Sequence, residues 1–338
     1  MSILVFIAKR LLLLIPLLFG VTLVVFTLTR VVIAGNPIDQ IVPPMASAEL
    51  RQQLAERYGL TDPIYLQYLK YMRNLLRGDL GVSYRSGLPV SQEILKFFPA
   101  TFELTSYAML LALLIGVPLG VMAAVWRDTW IDHLSRFLSV SGVSMPVFWF
   151  SLLLIYFFFF QWQLAPAPLG RINPRLAPPE AITGWYTIDS LLTGNWQAFK
   201  SSASTLLLPT IALAYGAMAP LARMARSGMI EVLQTQYIRT ARAQGLRWRT
   251  VIFKYALKNA LLPVVTMTAV VYGFLLGGSV LVENIFAWPG LGRYAYNAIA
   301  SSDYTAIQGF VLYATTMYVV LFLITDLTYR ALNPRIEF

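Results

Sequence analysis

The sequence has no cysteine and a single histidine, His133, so disulfides, thiolate metal sites and cysteine nucleophiles are excluded at the outset. Charge is scarce as well. Asp, Glu, Lys and Arg make up 12% of the 338 residues, against about 25% in ordinary soluble domains. No G-x-x-x-x-G-K-[ST] run occurs, so the chain holds no nucleotide through a P-loop. Its acids, hydroxyls and lone histidine do not read as a nucleophile with an acid/base partner or as a metal cluster. His133 lies near Asp128 and Asp132 in a short polar segment and reads as a solvated side chain. A membrane enzyme working through it, or through a rim carboxylate, is the weakest functional class. No catalytic, metal or cofactor-binding residue is expected on this chain.

What is abundant is apolar sequence, 57% of the chain. Six windows contain no Asp, Glu, Lys, Arg or His: Leu11–Thr29, Ser106–Val125, Leu138–Phe160, Ser204–Ala222, Ala260–Leu281 and Ala306–Thr325. Runs of about 18 or more such residues read as bilayer spans. Backbone groups in lipid must be satisfied internally, so the pattern predicts an all-α polytopic membrane protein with six transmembrane helices. A signal peptide is the rival reading of the first window, but the run is long and no A-x-A-like site follows it before "RVVIAGNP". Several spans carry breakers, including Pro16, Pro118, Pro146, Pro209, Pro220 and Pro263, which read individually as packing features rather than hinges.

With six spans both termini share one side. That side collects fourteen Lys and Arg against five acids, while the other holds twelve against eleven. The positive-inside bias therefore predicts cytoplasmic termini and a cytoplasmic loop over 223–258. Ionisable groups within the bilayer, usual in proton- or sodium-coupled carriers, are missing from every window. An ATP-independent secondary carrier or channel for small solutes stays open as the alternative, because carbonyls at broken helices also bind ions.

The chain divides into 1–105, an N-terminal transmembrane helix with an external amphipathic segment, and 106–338, a five-helix core carrying the basic loop over 223–258. In the external segment Leu50, Leu54, Arg57 and Tyr58 share one helical face, and Tyr65, Tyr68, Leu69, Met72, Leu75 and Leu76 share another until Gly78. These helices read either as packing on the rim or in the lipid interface, or as a docking surface for an external partner. The second external segment, Gln161 to Ala203, carries five prolines and reads as irregular.

The basic loop, "YIRTARAQGLRWRTVIFKYALKNALLP", is the most particular stretch. On charge alone it is an orientation signal. Nucleic acid is a poor partner, since no stacking platform or base-reading fold accompanies it. The pattern predicts a helix continuing the fourth span, a short second helix closed by Gly245 and a third beginning near Trp248. Arg239 and Arg242 share a face, and Ala241 and Ala243 are small enough for close contact.

"RTARAQG" resembles the EAA loop of ABC importer permeases, in which E-A-A is followed by three residues and Gly. Arg239 stands where Glu is general and Thr240 where Ala is general, while Ala241 and Gly245 match. Leu262 and Pro263 come later than the family's Leu-Pro. Both loop departures are typical of the dipeptide/oligopeptide branch, where "YIRTARA-x-GL" and "ALxNALLPVVT" recur. "RYGLTDPIYLQYLKYMRNLLRGDLGVSY", "ENIFAWPGLGRY", "DYTAIQG" and "DLTYRALNPRI" resemble further segments of that branch, with Thr305 where Pro is usual and Asn333 where Asp is common.

The resemblance implies a type I ABC importer permease fold in a bacterial inner membrane. It implies a homologous second permease, two cytoplasmic ATPase subunits carrying ATP and Mg, an external or periplasmic substrate-binding protein, and a short peptide as substrate, although nickel and glutathione permeases share the motifs. Arg239, Thr240, Ala241, Arg242, Ala243, Gln244, Gly245 and Leu246 would couple the chain to the ATPases. Tyr215, Thr266, Tyr272 and Ser279 are candidate path-lining residues that read equally as helix-packing positions.

Overall fold

The computed structural model describes residues 3–32, 47–57 and 61–332. Apart from one isolated bridge, between Val82 and Pro89, the regular elements among these residues are helices. They are α1 (Ile3–Thr27), α2 (Ala48–Arg57), α3 (Ile64–Leu76), α4 (Val90–Val125), α5 (Trp130–Ser144), α6 (Val147–Gln161), α7 (Tyr186–Leu192), α8 (Trp196–Leu233), α9 (Gln236–Ala243), α10 (Trp248–Ala260), α11 (Leu262–Gly278), α12 (Val280–Ile285), α13 (Leu291–Ala300) and α14 (Tyr304–Leu332).

Three helices among the described residues are long and apolar enough to cross a bilayer: α4, α8 and the Tyr304–Thr328 part of α14. The count rises to five if each of two bent pairs is one span. The third sequence window is not one straight helix. Its halves, α5 and α6, meet at 104°. Pro146 has no N–H to continue the ladder, and Met145 before it is extended at φ −84° and ψ 119°, the region that a following proline favours. Pro146 is thus a corner, whereas Pro118, Pro209 and Pro220 lie inside continuous helices. A second bend, of 50°, separates α10 from α11 at the start of the fifth window.

The chain forms two compact units, one of Pro99–Pro289 with Tyr318–Phe338 and one of Ser2–Phe98 with Gly290–Met317. In the larger unit α8 is the central element. Its 38 residues extend to about 57 Å at 1.5 Å per residue, well beyond a hydrocarbon core of roughly 30 Å. Asn195 caps it, accepting from the Ala198 N–H at 3.0 Å. Ala212, Leu213, Ala217, Leu221, Ala225 and Met229 belong to the unit's hydrophobic core. Small residues let neighbouring backbones close on it: a Cβ on Gly120 of α4 would collide with the Ala222 carbonyl, and one on Gly116 would lie 2.9 Å from the Met218 carbonyl.

In the smaller unit Phe26 of α1 packs against Tyr68 and Tyr71 of α3, with ring centroids 5.2 and 5.8 Å apart. The face presented by α3 differs from the expected one. Tyr68, Tyr71, Met72 and Leu75 are half-buried, whereas Tyr65, Leu69 and Leu76 are exposed. Tyr58, expected on the preceding helix, lies outside the described residues. Asp303 caps α14 through the Ala306 N–H at 3.1 Å and accepts from the Ser83 hydroxyl at 2.6 Å. Tyr294 of α13 donates to Glu93 at 3.0 Å. Burial first, and the Glu93 charge second, push the Tyr294 phenol well above its ordinary value, which keeps it the donor.

Candidate functional site

The basic segment folds as a projecting elbow in the larger unit. α8 ends at Leu233, α9 runs over Gln236–Ala243, and the chain turns at Gly245 before α10 begins at Trp248. Two bonds close α9: Leu246 N–H donates to the Ala241 carbonyl at 3.3 Å and Gly245 N–H to that of Arg242 at 3.0 Å. This is the Schellman pairing, and it needs a left-handed residue at the turn. Gly245 supplies it with φ +75°. A Cβ there would meet nothing within 4 Å, so the demand for glycine is conformational and not steric.

The eight residues expected to couple divide by face. Ala241 is buried with Ile238, and both join the hydrophobic cluster that holds Met229, Val251, Ile252 and Ala256. Arg239, Thr240, Arg242, Ala243, Gln244, Gly245 and Leu246 are exposed. Ala241 therefore holds the elbow together, while Ala243 belongs to its outer surface. The Arg242 guanidinium lies 5.0 Å from the Trp248 ring centroid across the turn, a cation–π distance. Asn259 donates to the Tyr237 hydroxyl at 2.9 Å.

Eight Arg and Lys and one acid, Glu231, lie between 223 and 258. Arg226 is already committed, since it grips buried Asp132 through Nε at 2.7 Å and Nη2 at 2.9 Å. That fork ties α8 to α5. Arg239 and Arg242 stay exposed beside Tyr237, Leu246 and Trp248. Arginine and aromatics around a rigid turn are the composition of protein-docking hot spots.

Among the candidate path-lining residues, Tyr215, Tyr272 and Ser279 have their hydroxyls engaged by neighbours. Tyr215 meets Ser141 at 2.7 Å and its ring lies 4.5 Å from Phe150. The Tyr272 hydroxyl pairs with Ser106. Ser279, fully buried, donates to Glu283 Oε1 at 2.8 Å. Thr266 is half-buried on α11.

Ser279 belongs to a buried polar network that the sequence did not reveal. Glu283 also accepts from Thr101 at 2.7 Å, and the Trp288 indole donates to the Ala100 carbonyl at 2.8 Å. Beside them Glu103, 1% exposed, accepts from Arg171 at 2.6 Å and from the Thr187 hydroxyl and N–H at 2.7 and 2.9 Å. The Arg171 guanidinium also donates to the Gly184 carbonyl at 2.6 Å and lies 3.7 Å from the Tyr186 ring centroid. Glu103 finds its partners far along the chain, 68 and 84 positions away, and the only local hint was an arginine inside a proline-rich loop.

A family model described as the binding-protein-dependent transport system inner membrane component matches residues 116–338. The chain is 44% identical to the dipeptide transport system permease protein of Alkalihalophilus pseudofirmus over 98% of both chains. It is 42% identical to the probable D,D-dipeptide transport system permease protein of Escherichia coli K12, over 94% of this chain and 93% of the other. A chain of the MetNI methionine ABC transporter in an inward-facing conformation shares the fold with a TM-score of 0.55 at 17% identity, covering 72% of this chain and 97% of that one. With nearly its whole length aligned to such relatives, the chain belongs to the family of binding-protein-dependent transport system inner membrane components.

Proposed function

We propose that the chain is the membrane-spanning permease subunit of an ATP-driven ABC importer for dipeptides or short oligopeptides, inserted in the bacterial inner membrane by six spans with both termini cytoplasmic. It would form half of the translocation path beside a homologous permease and receive substrate from an external binding protein. ATP and Mg would be held by two cytoplasmic ATPase subunits. The peptide class rests on the relatives' names and the orientation on the charge bias.

The observation that carries the reading is the two-faced elbow. Ile238 and Ala241 fix it to the core that includes Met229 and Ala256, and the opposite face presents Arg239, Arg242 and Leu246 to a partner. A push on the outer face would then move α8 and α10 as rigid bodies. No chemistry on this chain is required.

The test is reconstitution with the ATPases and the binding protein, reading ATP hydrolysis and peptide uptake together. Gly245→Val forces a β-branched residue to φ +75°, a strain of roughly 1–2 kcal/mol. The variant should insert normally while uptake per ATP falls severalfold. Unchanged coupling with the variant present at wild-type levels would refute the role assigned to the elbow.

A further inference from the structure

The smaller unit contains a cavity of about 290 Å³ lined by Arg30, Lys70, Tyr71, Asn74, Tyr84 and Gln308, among others. It is several times the ~30 Å³ share of one water molecule. Arg30 is the first charged residue after the uncharged run that ends at Thr29. Its Nη2 donates to the Tyr84 hydroxyl at 3.4 Å, a weak bond. Its Nε and Nη1, and the Tyr71 hydroxyl, are buried atoms with no hydrogen-bond partner among the described residues.

A guanidinium removed from water needs an anion or acceptors on its N–H groups. The nearby acids do not supply them. Asp62 is paired with Lys70 at 2.5 Å, and Asp79 accepts from the Gly81 N–H at 2.8 Å. Burial first, then neighbouring Tyr68, pushes the Tyr71 phenol up to about 12, so at neutral pH it retains its proton to donate. The remaining amides are partly spent: Gln308 donates to Thr29 at 2.7 Å and Gln67 to the Asp62 carbonyl at 2.8 Å. What is left is a donor-rich recess in which Arg30 Nε and Nη1 and the Tyr71 hydroxyl still lack an oxyanion, although the Asp79 carboxylate also lines it.

Its place along the chain identifies which oxyanion. An arginine just past an apolar helical run lies at the depth of lipid headgroups. The neighbouring α3 exposes Tyr65, Leu69 and Leu76, as a helix lying in the interface does. We infer that the recess seats the phosphate of an anionic phospholipid headgroup, with Arg30 as its cationic partner and Tyr71 as a neutral donor. The acyl chains would then run along the apolar surface of α1. A free phosphate offers the same oxygens but has no chains to place there.

The test uses the purified full-length chain, stripped of lipid in detergent and titrated with phosphatidylglycerol under native mass spectrometry, alongside inorganic phosphate. Wild type should hold one phosphatidylglycerol more tightly than the rest. Arg30→Gln should weaken that site about tenfold or more, as expected on losing a charge-assisted bond. Tyr71→Phe removes only a hydroxyl and keeps the ring packed on Phe26, so it decides the matter should Arg30→Gln fail to fold; it should weaken the site severalfold. Equal lipid retention in wild type and Tyr71→Phe would overturn the inference. So would displacement of the tight lipid by inorganic phosphate at comparable concentration.

Discussion

The elbow and the Glu103–Arg171 network use the same residue types under opposite conditions. At the elbow Arg239 and Arg242 are exposed, and Arg242 has only the half-open Trp248 ring across the turn beside it. In the network Arg171 is 8% exposed and Glu103 1% exposed, and the two are joined through Arg171 Nη2 and held by Thr187 and the Gly184 carbonyl. Exposed charge contributes little to folding and is free to meet a partner. Buried charge is held only while every member of the pair is present. One region is therefore built for exchange of contacts and the other for permanence.

The largest effect should come from breaking the permanent region. Glu103→Ala leaves Arg171 buried without its carboxylate, which typically costs about 3–5 kcal/mol. Thermal unfolding in detergent should show a large fall in Tm, or the folded protein should not accumulate. Glu103→Gln keeps acceptor oxygen for Thr187 and should be milder. A smaller loss is expected at the crossing of α4 and α8. Gly120→Ala drives a methyl into the Ala222 carbonyl, and overpacking of this kind costs about 1–3 kcal/mol, again read as a drop in Tm. Arg239→Ala with Arg242→Ala should change stability least, by about 0.5 kcal/mol or less per site, while weakening co-purification of the ATPase subunits. A large Tm loss there, with the ATPases still bound, would erase the contrast between the two regions.

The sequence rendered these regions unequally. The elbow's turn was legible because its signal is local, a glycine at the one position needing positive φ, but its packed face was read only in part: Ala241 is buried as expected, Ala243 is exposed, and Ile238 takes the buried place beside Ala241. Apolar composition marked the windows, but not that Pro146 would be a corner of 104° while Pro209 and Pro220 sit in an unbroken helix. Whether a proline bends a membrane helix depends on what its neighbours offer the freed carbonyl, and that lies elsewhere in the chain. The Glu103–Arg171–Thr187 network was invisible for the same reason, being made entirely by tertiary pairing. The face of α3 was partly misread because Tyr65 and Leu69 fit the helical period as well as Tyr71 does, and only contact with Phe26 selects among them.

The missing cysteines make the central claim directly measurable. Ala243→Cys places a single thiol on the exposed face of the elbow, and its maleimide labelling rate can be compared between the chain alone and the assembled, peptide-transporting complex. The account predicts rapid labelling of the free chain and strong protection once the ATPase subunits are bound. Equal labelling in both, with uptake running normally, would contradict it.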